Sequence, residues 1–119
     1  MIKWGIIGLG NMARKFANSI EETKNSKLIR IASLSDKRLK SFREEFKIDE
    51  KNAHSNYESL ISSKDIDAIY IATLNNTHLD IIKKCSENKK HILCEKPFTL
   101  NDKEAEVASN FIKKNNINF

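Results

Sequence analysis

Only three glycines occur in the 119 residues, Gly5, Gly8 and Gly10, and all stand within the first ten positions. An apolar run there gives way to Gly8-Leu9-Gly10-Asn11-Met12-Ala13. Small residues at those offsets, between a strand and a helix, constrain the chain strongly. Gly8 makes the tight turn out of the strand. Gly10 lets backbone approach a phosphate, and Ala13 is small enough for the new helix to lie against the strand. That helix turns free N–H groups and the positive end of its dipole toward an anion. Three small residues at these offsets also arise by chance, so the competing reading is a glycine turn in an α/β protein without a nucleotide.

The rest of the chain alternates strand and helix patterns. Apolar runs at Ile2–Ile7, 28–33, 53–55, 67–73 and His91–Cys94 predict five strands, and residues 117–119 open a sixth. The first helix is expected over residues 11–23, with Met12, Phe16, Ala17 and Ile20 on one face. A second, capped by Ser35 or Asp36, turns Leu39, Phe42 and Phe46 inward. Tyr57, Leu60 and Ile61 mark a brief third helix, and Leu79, Ile82 and Cys85 a fourth. Asn101 or Asp102 caps a fifth, whose inner face is Ala105, Ala108, Phe111 and Ile112. The run Ala68-Ile69-Tyr70-Ile71-Ala72 is apolar on both faces, as deep in a parallel sheet. The pattern predicts an α/β fold of Rossmann type over residues 1–119, a doubly wound parallel sheet in three α/β/α layers.

Composition removes other classes. At 39% hydrophobic and 31% charged, the chain suits a globular rather than a disordered protein. No apolar run approaches the roughly 20 residues of a membrane helix. The first residues enter a strand directly, without an export segment, so a cytoplasmic location is expected. Cys85 and Cys94 form no Cys-x-x-Cys pair and suit neither a disulfide framework nor zinc. Cys94, in an apolar stretch, is expected as a buried thiol. None of His54, His78 and His91 is paired with a carboxylate along a helix, so no metal is expected. The net charge of +5 is spread among interleaved acids, with no basic stripe carrying aromatics, which disfavours nucleic acid and suits an anionic cofactor.

In a doubly wound sheet, ligands bind outside the carboxyl ends of the strands. After the second strand comes Ser33-Leu34-Ser35-Asp36-Lys37-Arg38. An acidic residue at that strand end pairs with ribose hydroxyls, whereas hydroxyl and basic groups receive a 2′-phosphate. Ser33 with Lys37 and Arg38 therefore favours NADP, with NAD as the alternative; the competing reading is a solvated helix face. After the fourth strand, Thr73-Leu74-Asn75-Asn76-Thr77-His78 offers polar groups to a ribose or nicotinamide, or else caps a helix. After the fifth, Glu95-Lys96-Pro97 places a lysine that can polarise a substrate oxygen, aimed by the proline, or simply forms a surface ion pair.

Three elements together resemble the glucose–fructose oxidoreductase / inositol 2-dehydrogenase (Gfo/Idh/MocA) family. They are residues 8–13, the segment 67–78, and Cys94-Glu95-Lys96-Pro97, the last being the most specific. The resemblance spans essentially the whole chain. It implies a pyrophosphate loop of Gly8, Gly10, Asn11 and Met12, and a 2′-phosphate site at Ser33 and Arg38. It implies cofactor contacts from Thr73, Leu74, Asn75, His78, Glu95, Lys96 and Pro97, with Lys96 as the catalytic residue. Leu34 stands where many NADP-using members carry arginine, and Leu74 replaces a frequent proline. Members are usually much longer and carry a second, α+β domain that binds a sugar, polyol or related alcohol. The resemblance implies that this domain is absent here, that the isolated chain binds cofactor with negligible turnover, and that apolar surface around the last helix and residues 117–119 favours self-association. A free-standing nucleotide-binding sensor or accessory subunit, or an inactive remnant, are the alternative readings.

Overall fold

The computed structural model describes residues 1–73, 75–95 and 101–118, and only the backbone of Asn75. Five strands form one parallel sheet in the order β3-β2-β1-β4-β5: β1 is Ile2–Ile7, β2 Ser26–Ala32, β3 Ala53–His54, β4 Ala68–Ile71 and β5 His91–Cys94. Helices α1 (Asn11–Glu21), α2 (Asp36–Phe46), α3 (Tyr57–Ile61), α4 (His78–Glu87) and α5 (Asp102–Asn115) connect or follow them. The chain moves outward from β1 through β2 to β3. It then crosses back to β4 on the other side of β1. The switch point therefore lies between β1 and β4.

Alternation along the strands divides the core in two. Ile6, Ile31 and Tyr70 face α1 and α2, joined by Ala13, Ala17, Phe42 and Phe46. Ile7, Ala32, Ile69 and Ile71 face the other way, onto Leu60, Ile61, Ile82, Cys85 and Ala108. All four residues of β4 are buried, as the apolar run predicted. Ala13, Ala17 and Ile20 recur at helical spacing, which is why α1 lies flat on the sheet. Above α1, Phe16 stacks on Tyr70 at 4.2 Å and meets Trp4 edge-on at 5.0 Å. Each such pair contributes about 1 kcal/mol beyond burial. Opposite Trp4 and Gly5, β2 carries an extra residue, so the register shifts from Trp4–Leu28 to Gly5–Arg30. Gly5 is there for packing: a Cβ would meet Leu60 Cδ2 at 2.9 Å.

Ser35, not Asp36, caps α2, and Asn101, not Asp102, caps α5. The expected sixth strand is not formed among the described residues. Ile92 N–H donates to Asn118 O at 2.9 Å, but the Asn118 N–H turns to His91 Nδ1 instead of a strand carbonyl, so no ladder develops. Cys85 is fully buried, whereas Cys94 is only partly so; burial pushes both thiols up to about 12. Of the region expected to expose apolar surface, residue 119 lies outside the described residues. Ile117 is buried, and the exposed large apolar side chains among the described residues include Met12, Leu34 and Leu93. No helix among the described residues is long and apolar enough to cross a membrane.

Two polar ties fix the sheet's margins. Lys90, nearly buried, donates from Nζ to the Ser63 and Ile66 carbonyls and closes the turn before β4. Arg30 grips Asp65 through two bonds, 2.7 and 2.9 Å, and its Nη1 donates to His54 Nε2 on the edge strand. That nitrogen must accept, so His54 is neutral, and burial followed by the Arg30 charge lowers its pKa. A base with a depressed folded pKa supports the fold above its unfolded value, about 6.5, and that support is lost as pH falls below it. Thermal midpoints measured between about pH 7.5 and 5 should fall in this window, and His54→Gln, which keeps an acceptor for Arg30, should flatten the fall. An unchanged slope would remove His54 from the account.

Candidate functional site

The carboxyl ends of β1, β2, β4 and β5 converge through hydrogen bonds that continue the ladders one step. Gly8 N–H donates to Ala32 O, Ala72 to Ile7, Ser33 to His54 and Glu95 to Ile71, at 2.9–3.1 Å. The turn at Gly8 has φ +91, a left-handed backbone that glycine adopts without strain. A Cβ on Gly8 would also stand 2.9 Å from the Ala72 backbone and from Thr73 Cγ2. Gly8 is therefore required by the fold itself.

Gly10 is different. It caps α1 at φ −94 and ψ −163, an extended conformation open to any residue. A Cβ there would meet nothing within 4 Å. No side chain caps α1, and its first turn holds no acid. The other four helices each carry an acid in the first turn, and Ser35, Asn56 and Asn101 cap three of them. The N–H groups of Asn11, Met12 and Ala13 precede the first intrahelical acceptor, since Arg14 N–H takes Gly10 O. Asn11 and Met12 are exposed beside this end. The arrangement can accept an anion in contact with backbone.

A cleft of about 290 Å³ opens over this turn, walled by Gly8, Gly10, Ser33, Leu34, Tyr57 and Thr73. An adjoining groove of about 400 Å³ shares Gly10, Ser35 and Arg38 with it and adds Asn11, Arg14 and Lys37. Wider grooves, about 570 and 560 Å³, run along α2 beside β3 and between the far ends of α1 and α2. Both lie away from the switch point.

Ser33 is nearly buried, and its Oγ accepts the Ser35 N–H at 3.1 Å, leaving its hydroxyl proton to offer. Ser35 Oγ accepts from Arg38 N–H. The exposed Arg38 guanidinium forms no ion pair among the described residues, whereas the Arg14 side chain is held by Glu45 at 2.6 Å. Leu34 is 71% exposed at the mouth.

On the β4 side, Thr73 reaches the cleft wall and its Oγ1 bonds Thr77 Oγ1 at 2.7 Å. His78 does not line the cleft. It is 1% exposed, and its Nε2–H donates to Thr73 O at 2.8 Å while Nδ1 stands 3.3 Å from Cys94 Sγ. A carbonyl only accepts, so the ring proton sits on Nε2. His78 ties the ends of β4 and β5 together. Glu95 receives the Tyr70 hydroxyl at 2.7 Å. Leu74, Lys96 and Pro97, and the side chain of Asn75, lie outside the described residues.

The sequence motifs point to neither Tyr57 nor Tyr70 as a site residue. Tyr57 is the first helical residue beyond β3, and the rule that ligands gather at strand ends reaches it as it reaches Ser33 and Thr73. Tyr70 carries only an apolar strand signal.

A glycine turn, an uncapped helix and a cleft at the switch point define a dinucleotide-binding domain. Residues 2–118 match the family described as "Oxidoreductase family, NAD-binding Rossmann fold". The chain belongs to this Gfo/Idh/MocA family and is its NAD-binding domain. It is 31% identical over 117 residues to a trans-1,2-dihydrobenzene-1,2-diol dehydrogenase of Xenopus tropicalis, covering 97% of this chain and 35% of that protein. It is 32% identical to a scyllo-inositol 2-dehydrogenase (NADP(+)) of Bacillus subtilis, covering 98% and 35%. The crystal structure of a probable dehydrogenase from Thermotoga maritima superposes with a TM-score of 0.93 at 27% identity, over 98% of this chain and 34% of that one. The chain thus spans about a third of the length of these relatives.

The two turn glycines separate in a simple experiment. Gly8→Ala should destabilise the fold by about 2–4 kcal/mol through strain and overlap with Ala72. Gly10→Ala should leave the unfolding midpoint within about 0.5 kcal/mol of the parent while weakening dinucleotide binding at least tenfold. Denaturant titration reads the first quantity and calorimetry the second.

Proposed function

We propose that the chain holds a nicotinamide dinucleotide across the carboxyl ends of β1, β2, β4 and β5, NADP in preference to NAD. The observation that carries this reading is Gly10, a glycine that neither its dihedrals nor its neighbours require, at the uncapped start of α1. Space kept free there suits a pyrophosphate lying against backbone, with Gly8, Asn11 and Met12 completing the loop.

The preference for NADP rests on the end of β2. Position 33 is serine, so the carboxylate that would pair with the ribose hydroxyls of NAD is missing there. The Ser33 hydroxyl proton and the exposed Arg38 guanidinium are instead suited to a 2′-phosphate. Leu34 and Tyr57 supply apolar walls at the same end. The Bacillus subtilis relative named for NADP(+) supports this choice. NAD is the competing cofactor.

Toward β4 and β5, Thr73 would touch the cofactor, while His78 would act by holding the Thr73 carbonyl rather than by contact. In the sequence, Leu74 and Asn75 follow Thr73, and Lys96 and Pro97 follow Glu95. When bound, the nicotinamide supplies or takes up the hydride. Lys96 is the residue assigned to hold the oxygen of an alcohol such as a sugar or polyol and to receive its proton. A substrate wall and water exclusion, each worth several kcal/mol of a barrier, would come from outside the cofactor domain.

Calorimetric titration with NADP and NAD tests the reading. The wild type should bind NADP more tightly, and Arg38→Ala should weaken NADP by about tenfold while changing NAD little. Equal losses for both would remove Arg38 from the phosphate site. No heat with either dinucleotide at millimolar concentration would overturn the reading.

A further inference from the structure

Glu95 is held from the neighbouring strand. Tyr70 pairs with Leu93, Ile71 with Cys94, and the Glu95 N–H then donates to Ile71 O. From one step further back on β4, the Tyr70 hydroxyl donates to Glu95 Oε2 at 2.7 Å. The tyrosine is 4% exposed, and its ring is stacked on Phe16, which in turn meets Trp4. Its position is therefore set by β1 and α1, the two elements that also frame the glycine turn. Burial first, then the Glu95 carboxylate, raises the phenol's pKa, so the hydroxyl remains a donor at any working pH.

Packing does not explain the hydroxyl. A phenylalanine would fill the same space on Phe16 without a polar group to satisfy. Its consequence is to hold a carboxylate at the end of β5. The two halves of a doubly wound sheet each receive one mononucleotide. With the 2′-phosphate groups on β2, the nicotinamide half falls to β4 and β5.

We propose that Tyr70 is a positioning residue for the nicotinamide half of the dinucleotide: its hydroxyl holds the Glu95 carboxylate, and Glu95 forms the boundary against which that half is bound. This rests on the nucleotide reading above. Tyr70 itself touches no cofactor. The effect of removing its hydroxyl is therefore confined to one end of the ligand and passes through one residue.

The test is calorimetry on the wild type, Y70F, E95A and the double variant. The ligands are the dinucleotides NADP and NAD and the adenosine halves 2′,5′-ADP and ADP. Y70F is expected to weaken the dinucleotide about tenfold and to leave the adenosine half within about twofold. E95A should do the same, and Y70F should add nothing in the E95A background. A Y70F protein that loses both ligands equally is loosened generally, and that result overturns the proposal. So does a loss that adds to that of E95A, or no loss at all. A wild type that binds neither dinucleotide nor adenosine half overturns the nucleotide reading, and this proposal with it.

Discussion

The backbone of Gly8 lies against the backbone of Ala72, closer than any side chain would permit. That contact joins the end of β1 to the end of β4 at the point where the chain reverses its direction across the sheet. It also sets where α1 begins. If the turn were wider, α1 and its free N–H groups would start further from the sheet and from the cleft that Gly8 and Gly10 line. The glycine turn, the switch point and the cleft are one geometric feature seen from three sides.

The use of glycine elsewhere reinforces this. Helix ends commonly take glycine in the left-handed conformation. Here Lys47 and Asn116 fill those positions at φ 55 and 56, and Lys89 adopts φ 60 after α4. Each costs about 1 kcal/mol relative to glycine. The chain tolerates that strain at three exposed sites while keeping its glycines for β1 and the turn. Of these, Gly5 answers to Leu60 and Gly8 to Ala72, which leaves Gly10 answering to no atom of the described residues.

Much of the fold was legible because strand and helix periods alternate without ambiguity. The buried run of β4, the face of α2 and the five parallel strands follow from local pattern; on α1, Ala13 takes the buried place expected of Met12, which is exposed. The two cap choices, Ser35 and Asn101, depend on side-chain geometry, because in sequence terms Asp36 and Asp102 are equally good caps. Residues 117–119 read as a strand because Ile117 and Phe119 are apolar, yet a strand needs a partner for each N–H, and His91 Nδ1 takes the one that Asn118 offers. Ser33, Arg38 and Thr73, which line the cleft, are legible from their place after strands. Burial of His78 was not, since a polar residue after a strand reads as a ligand whichever way it turns. Tyr70 was hidden for the opposite reason: its ring looked like core, and only the fold shows that its hydroxyl reaches Glu95.

Amide chemical shifts during a dinucleotide titration test most directly whether α1 holds the pyrophosphate. In a nitrogen-15 correlation spectrum, the largest changes should fall on Gly10, Asn11 and Met12, with smaller ones on residues 33–35. Lys40, Glu44 and Ile48, along the wider groove on α2, should stay still. Largest changes on those three residues, with Gly10 and Asn11 unmoved, would contradict the assignment of the glycine turn.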